Sequence, residues 1–166
     1  MIHDFEKIRK AFADHNPLKN SFVRKRASVL IPMLESEGEI FLMLTRRSSK
    51  MRTHPGQVSF PGGKEDSCDE GSMHTALRET YEEIGLPREK VDVVGMLDQI
   101  LSLHYYLVTP YIGLIPSDFV PLPNADEIES VFKVPLAFFM KSENHWSEEK
   151  KMLAFPVLVH HFEYQG

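Results

Sequence analysis

The sequence has one cysteine, fewer basic than acidic side chains and no long apolar run. Cys68 cannot form a disulfide within the chain, and it lies in a polar stretch without a basic neighbour that would stabilise a thiolate. No apolar segment approaches the roughly 18 residues that a membrane helix needs. The first residues also lack the pattern of a signal peptide. These absences predict an intracellular protein with no membrane partner.

The balance of charge argues against a nucleic-acid-binding protein. Lys and Arg together number 19 and Asp and Glu number 24, so the formal net charge is -5. General binding to nucleic acid depends on an excess of basic side chains that neutralise many phosphates. We therefore expect no nucleic-acid partner. An anionic small molecule would need a local basic cluster or a bound cation to receive it.

Length and apolar content predict one compact domain of the α/β (α+β) class. The chain has 166 residues, of which 42% are hydrophobic, enough for a core of its own. A helix is expected over residues 4–15, and apolar runs at 27–34 and 40–45 predict a hairpin. Pro32 lies within the first run and predicts an edge strand or a bulge. Further strands are predicted at 57–60, 91–97, 105–115, 128–134 and 153–162, with one helical turn at 135–140.

Residues 72–84 are predicted to form an amphipathic helix with two unlike faces. Gly85 is placed to end it in the left-handed conformation, and Pro87 follows where the helix cannot continue. The side expected to face the core carries Met73, Ala76, Leu77, Thr80 and Ile84. The opposite side carries Glu79, Glu82 and Glu83.

Three glutamates at relative positions i, i+3 and i+4 repel one another, by roughly 0.2–0.5 kcal/mol for each pair in an isolated helix. The simple interpretation is a solvated acidic face. A divalent cation such as Mg²⁺ or Mn²⁺ would instead turn the repulsion into coordination, because hard cations prefer oxygen ligands. The residues ahead of the helix favour the second interpretation. They include a tight turn at Pro61-Gly62-Gly63 and a fourth carboxylate at Glu70.

These residues together resemble the Nudix box, a glycine followed by a spaced glutamate, an Arg-Glu pair, two further glutamates, a glycine and an aliphatic residue. The matching positions here are Gly63, Glu70, Arg78-Glu79, Glu82-Glu83, Gly85 and Leu86. Six residues separate Gly63 from Glu70, where the common form has five, and the longer spacing is a feature of the coenzyme A diphosphatase branch. The resemblance implies the Nudix fold, a mixed β-sheet sandwiched between α-helices.

The resemblance also implies roles for individual residues. Glu79, Glu82 and Glu83 would bind Mg²⁺ or Mn²⁺, with Glu70 and the backbone carbonyl of Gly63 as further ligands. Arg78 would orient the glutamates, and catalysis would fall to Glu79, Glu83 and Arg78. The implied reaction is attack of water on a phosphorus of a diphosphate. The general base stays open between Glu79, Glu127, Glu129 and His104.

The segment ahead of the box resembles the corresponding motif of coenzyme A diphosphatases, including peroxisomal ones. It reads Leu44-Thr45-Arg46-Arg47-Ser48, then Arg52, His54, Gly56-Gln57 and Phe60-Pro61-Gly62-Gly63. The likeness implies a substrate site formed by Arg46, Arg47, Arg52, His54, Gln57 and Lys64. The expected substrate is coenzyme A or its thioesters. The alternatives are another nucleoside diphosphate derivative such as ADP-ribose, or a Nudix-fold binding module that has lost catalysis.

Residues 1–26 are predicted to form a helix and lead-in, and residues 27–166 the Nudix domain. Chains of the resembled branch continue past the segment that matches residues 161–164, so the chain is expected to be truncated at its C-terminal end. The expected location is cytoplasmic, or peroxisomal if a targeting tail has been lost. Both a monomer and a homodimer are compatible with the sequence.

Overall fold

The computed structural model describes residues 4–20, 23–102, 104–152 and 155–164. Its helices are α1 (Asp4–Ala13), α2 (Ser72–Ile84) and α3 (Leu136–Phe139), with 3-10 turns at Arg88–Lys90 and Ser142–Asn144. Its strands are β1 (Arg26–Ser36), β2 (Glu39–Arg47), β3 (Val58–Ser59), β4 (Gly62–Lys64), β5 (Asp92–Met96), β6 (Ile100–Leu101), β7 (Leu107–Leu114), β8 (Ile128–Pro135), β9 (His145–Met152) and β10 (Phe155–Phe162).

A mixed sheet forms the centre of the fold. Its long strands lie in the order β8-β2-β1-β7-β5, and only β1 and β7 run parallel. Leu42 and Leu44 pack on one face of the sheet together with side chains of α1 and α3, whereas Met43 packs on the other face with Ala76 of α2. The sheet therefore lies between helices, which confirms the predicted fold. The β9-β10 hairpin forms a separate two-stranded sheet, and β9 was missed in the sequence.

β1 and β2 diverge, and the candidate active site lies in the wedge-shaped gap between them, here called the wedge. They pair only near their connecting turn, from Met33 and Leu42 to Ser36 and Glu39. Beyond this point β3 pairs with β2, and β4 pairs with β1. The predicted hairpin is thus present. The turn expected at residues 61–63 is also part of a short strand, because Gly62 and Gly63 come close to the backbone of β1.

The edge strand or bulge predicted from Pro32 is wrong, because β1 lies in the middle of the sheet and its pairings with β2, β4 and β7 keep a regular register. Pro32 is located where β1 changes its partner from β4 to β2. The N–H of Leu30 donates to the carbonyl of Pro61 on that side of the strand, and the ring nitrogen of Pro32, two residues on, faces the same side. A strand can accept proline at such a break, because no partner there requires a donor.

α2 has the predicted bounds, but its buried face differs from the predicted one. Gly85 ends the helix in the left-handed conformation at φ 70°. The buried residues of the helix are Thr75, Ala76, Thr80, Glu83 and Ile84. Met73, which was expected in the core, is 47% exposed. The helix is therefore turned so that Glu83 faces the wedge, and the prediction that all three glutamates lie away from the core is wrong for Glu83.

α1 is packed against the far side of the sheet. The ring of Phe12 lies against Gly95 of β5, where an added Cβ would be 2.4 Å from a ring carbon. Phe5 and Ile8 contact the same apolar cluster. The division between residues 1–26 and 27–166 stays a prediction. None of the helices in the described ranges is both long and apolar enough to span a membrane.

Candidate active site

Glu83 is a buried carboxylate at the opening of the wedge, with 3% of its surface exposed. The N–H of Gly62 donates to Oε2 at 3.1 Å, and Nη1 of Arg47 lies 3.5 Å from Oε1. Burial raises the pKa of Glu83 to about 7, and the nearby carboxylates of Glu79 and Glu127 add to this rise. The Gly62 N–H and Arg47 oppose it but do not cancel it. The ionised form of Glu83 therefore lacks full charge compensation from the protein.

Glu79 lies one helical turn before Glu83 and touches the backbone of Gly63. A Cβ added to Gly63 would be 2.3 Å from Cδ of Glu79, so only glycine permits this approach. Nη1 of Arg78 donates to Oε1 of Glu79 at 3.0 Å. Burial raises the pKa of Glu79, and Arg78 works against that rise. A cation held by Glu79 would thus lie beside the backbone of β4.

Arg78 connects the helix carboxylates to a buried aspartate. Its Nε and Nη2 donate to the two oxygens of Asp69, each at 2.9 Å, and Nη1 also donates to Glu82 at 3.2 Å. Asp69 is 2% exposed on its side chain and also accepts the hydroxyl of Thr75 at 2.8 Å. Arg78 holds the pKa of Asp69 well below its usual range. The forked contact of Arg78 therefore goes to Asp69, and its contacts to the glutamates are single bonds.

Asp69 was not predicted as a site residue, although its spacing from Gly63 indicates that it is one. Five residues lie between Gly63 and Asp69, the interval of the common box, whereas Glu70 is one position later. Glu70 is exposed and lies just before Gly71, which caps the start of α2. Glu83 is at the other end of the same helix. The role of Glu70 as a metal ligand stays a prediction.

The loop that follows β7 brings a further carboxylate to α2. Leu122 N–H donates to the carbonyl of Ile84, and Asn124 N–H donates to that of Glu83, both at 2.9 Å. These bonds place Glu127 near enough to raise the pKa values of Glu79 and Glu83.

The other candidate bases have different surroundings. Glu129 is exposed on β8. The ring of His104 lies edge-on against that of His54, with 4.5 Å between centroids. Of the candidate bases outside the box, Glu127 is the one that the loop places with the helix carboxylates.

The predicted substrate residues are divided between two faces of the sheet. The side chain of Arg47 lies on the α2 side of the sheet and contacts Glu83. Its Nε is buried and has no hydrogen-bond partner among the described residues. Arg46, its neighbour, faces the opposite side, where it lines a groove of about 880 Å³ together with Phe132 and Trp146. The other predicted residues, Arg52, His54, Gln57 and Lys64, are exposed.

These carboxylates suit a magnesium-type cation. In the parts of the chain that the structure describes, no three His, Cys, Asp or Glu side chains converge into a ready cage for an ion. Mg²⁺ does not require one, because it keeps several waters and binds through one or two carboxylates together with substrate phosphates. Glu79 and Glu83 supply such a pair of hard oxygen donors, in an environment where negative charge lacks full compensation.

Comparison with known proteins identifies relatives over most of the chain. The NUDIX domain family model matches residues 24–155. The chain is 46% identical over 147 residues to the mitochondrial Nudix hydrolase 15 of Arabidopsis thaliana, covering 87% of this chain and 52% of that protein. It is 37% identical over 162 residues to the peroxisomal coenzyme A diphosphatase NUDT7 of Mus musculus, covering 98% and 69%. The chain thus spans about half the length of the Arabidopsis relative.

Solved structures share the fold at low sequence identity. The Ap4A hydrolase of C. elegans, in a binary complex, superposes with a TM-score of 0.57 at 18% identity, over 68% of this chain and 81% of that one. The NUDIX domain of Shewanella oneidensis NrtR, complexed with ADP ribose, gives 0.52 at 16%, over 84% and 87%. The likeness at these identities concerns the fold alone.

Proposed function

The chain belongs to the Nudix family, and we propose that it is a metal-dependent hydrolase of the diphosphate linkage of coenzyme A or its thioesters. The observation that carries the proposal is the pair of helix carboxylates at the glycines of β4, Glu79 beside Gly63 and Glu83 on the N–H of Gly62, with Glu127 near enough to raise the pKa of both. Such a group has no evident structural use, since burial raises the pKa of both helix glutamates. A site for a divalent cation and an anionic substrate explains its presence.

We assign Mg²⁺ or Mn²⁺ to Glu79 and Glu83, with Glu82 and the carbonyl of Gly63 as additional ligands. A bound cation would polarise the phosphoryl oxygens and neutralise the charge of the leaving phosphate. Arg78 holds Glu79 and Glu82 by one hydrogen bond each and is itself fixed by Asp69. Its role in the proposal is to set the direction of the carboxylates.

Hydrolysis requires a group that takes a proton from the attacking water. The water oxygen forms a bond to one phosphorus, and the bond between that phosphorus and the bridging oxygen breaks. The products are adenosine 3′,5′-bisphosphate and 4′-phosphopantetheine, or its acyl form. Glu127 is the preferred acceptor for the proton, because it lies near Glu79 and Glu83 without the hydrogen bond to Arg78 that occupies Glu79.

Sequence likeness makes coenzyme A the preferred substrate. The string from Leu44 to Gly63 resembles that of coenzyme A diphosphatases, and the mouse relative with that name matches 98% of this chain. Arg47 is a candidate contact for the diphosphate of any such substrate, because its guanidinium lies beside Glu83. Arginine donors of this kind are suited to phosphate oxygens.

Product analysis by mass spectrometry tests the function. The protein is incubated with coenzyme A or ADP-ribose, with Mg²⁺ or Mn²⁺, and with a chelator in a parallel sample. We expect adenosine 3′,5′-bisphosphate and phosphopantetheine only in the presence of metal. Metal-dependent cleavage of ADP-ribose alone would mean that ADP-ribose, and not coenzyme A, is the substrate. A folded protein that cleaves neither would indicate a binding module.

Two glutamate variants distinguish the loss of a site carboxylate from the general loss of one negative charge. Glu83→Gln removes the buried carboxylate, and Glu129→Gln removes an exposed one on β8. We expect turnover to fall by at least about a hundredfold in the first variant, because a metal ligand is lost, and to change little in the second. Equal activities in the two variants would remove Glu83 from the site.

A further inference from the structure

Two lysines flank one aromatic ring at the open end of the wedge. Nζ of Lys25 lies 5.8 Å from the centroid of the Tyr106 ring, and Nζ of Lys64 lies 5.5 Å from it. Cations at up to about 6 Å are attracted by the face of such a ring. Lys25 precedes β1, Lys64 ends β4 and Tyr106 precedes β7. Three separate segments thus contribute to one small basic cluster.

The backbone of this cluster is fixed. The N–H of Leu107 donates to the carbonyl of Lys25 at 2.9 Å, which holds Lys25 beside Tyr106. Lys64 pairs with Ala27 in the sheet. Nη2 of Arg78 donates to the carbonyl of Lys64 at 3.3 Å. The arginine that holds Glu79 therefore also anchors one of the two lysines.

The ammonium groups and the carboxylates lie on opposite faces of the sheet. Gly63 faces Glu79 on the α2 side, so the next residue of β4, Lys64, is directed to the other side. In the described part of the chain, the interaction found for both ammonium groups is with the ring of Tyr106 and not with a carboxylate. An anion bound there would supply both exposed ammonium groups with a counterion.

We propose that Lys25, Lys64 and Tyr106 form a subsite for a phosphomonoester, which in the proposed substrate is the 3′-phosphate of coenzyme A. This subsite rests on the proposed function. The diphosphate would lie at Gly63 with the metal ligands, and the 3′-phosphate is separated from it by one ribose. In the described part of the chain β4 is paired with β1 alone. A substrate that crosses the other edge of β4 would therefore have its diphosphate on the α2 side at Gly63 and its 3′-phosphate on the opposite side at Lys64. ADP-ribose has no phosphomonoester, so the subsite would distinguish the two substrates.

Coenzyme A and dephospho-coenzyme A test the subsite, because they differ only in the 3′-phosphate. We expect wild-type kcat/KM to be at least about tenfold higher for coenzyme A, mainly through KM. Lys25→Ala should remove most of that ratio while leaving turnover of dephospho-coenzyme A unchanged. Lys25→Arg should keep it. Lys133→Ala is the matched control, because Lys133 also lies over a ring, that of Phe41, at 5.9 Å.

A binding measurement separates this inference from the proposed reaction. Calorimetry in EDTA on the wild type and on Lys25→Ala compares the binding of coenzyme A with that of dephospho-coenzyme A, which has no phosphomonoester, and needs no turnover. Tighter binding of coenzyme A, lost in Lys25→Ala and kept in Lys133→Ala, supports the subsite even in a protein that cleaves nothing. Equal binding of the two compounds by the wild type would overturn it. Equal losses of kcat/KM on both coenzyme substrates in Lys25→Ala would overturn it as well.

Discussion

Glu83 offers a test of the metal site that does not depend on catalysis. Its carboxylate is 3% exposed and has a pKa of about 7, against an ordinary value of 4.5. We predict that Glu83→Gln stabilises the metal-free protein at pH 8, because the amide is neutral at every pH. The same substitution should remove stabilisation by Mg²⁺ or Mn²⁺.

The sign and size of the effect follow from proton linkage. Between pH 4.5 and pH 7 the folded protein keeps a proton on Glu83 that the unfolded chain has lost. The free energy of unfolding therefore decreases as the pH rises, by about 1.4 kcal/mol per unit. Over this window the decrease amounts to about 3 kcal/mol. For a chain of this length, that corresponds to a shift of about 6–12 °C in Tm.

Thermal denaturation of both proteins at pH 4 and pH 8, with EDTA or with Mg²⁺, measures the effect. At pH 4 in EDTA the two proteins should have similar Tm values, since Glu83 is then protonated in both the folded and the unfolded chain. At pH 8 in EDTA the variant should be the more stable. Added Mg²⁺ at a hundred times its Kd should stabilise the wild type by about 2.7 kcal/mol, and the variant by much less.

Two results would contradict this prediction. A variant that is less stable than the wild type at pH 8 in EDTA would mean that Arg47 and Gly62 compensate the charge of Glu83 fully. Equal stabilisation of both proteins by Mg²⁺ would mean that the cation binds elsewhere. In the first case the buried charge of Glu83 would not destabilise the protein, and in the second Glu83 would not be a metal ligand.

Three further substitutions probe the surroundings of Glu83. Gly63→Ala should keep the fold but displace the carboxylate of Glu79, lowering turnover about a hundredfold in a steady-state assay. A fully active variant would mean that turnover does not depend on the contact between Glu79 and Gly63. Asp69→Asn breaks a buried pair with Arg78 and should destabilise the protein by about 3–5 kcal/mol in urea. Because its pKa is lowered, Asp69 contributes this stability above its ordinary pKa, and the contribution is lost on strong acidification. Glu127→Gln should lower kcat by about a hundredfold or more without changing the Tm shift caused by Mg²⁺, whereas an unchanged kcat would exclude it as the base.

Local chemistry allowed the bounds of α2 to be predicted from the sequence. The periodicity of residues 72–84 and the glycine at position 85 depend on neighbours within a few positions, and Gly85 has the expected left-handed conformation. The spacing of Glu79, Glu82 and Glu83 along this helix is likewise a local property. For the same reason the family could be identified from the box before any contact was known.

Which side chains of α2 are buried could not be predicted in this way. Hydrophobic periodicity assigned Met73 to the core and Glu83 to the surface, and the structure reverses both. The cause is the close approach of β4, whose Gly62 N–H binds Glu83. An interaction with a residue 21 positions away outweighs the preference of the side chain for water.

The helix, its carboxylates and the glycine turn ahead of it could be predicted from the sequence, because they depend on short-range order. The extension of β2 through Arg46 and Arg47 depends on its pairing with β8, and strand alternation then directs these two side chains to opposite faces. Only the docking of a distant loop places Glu127 near Glu83, and only the parallel pairing of β1 with β7 places Lys25 beside Tyr106. These neighbours come from segments far apart in the chain, and their meeting depends on the register of the whole sheet.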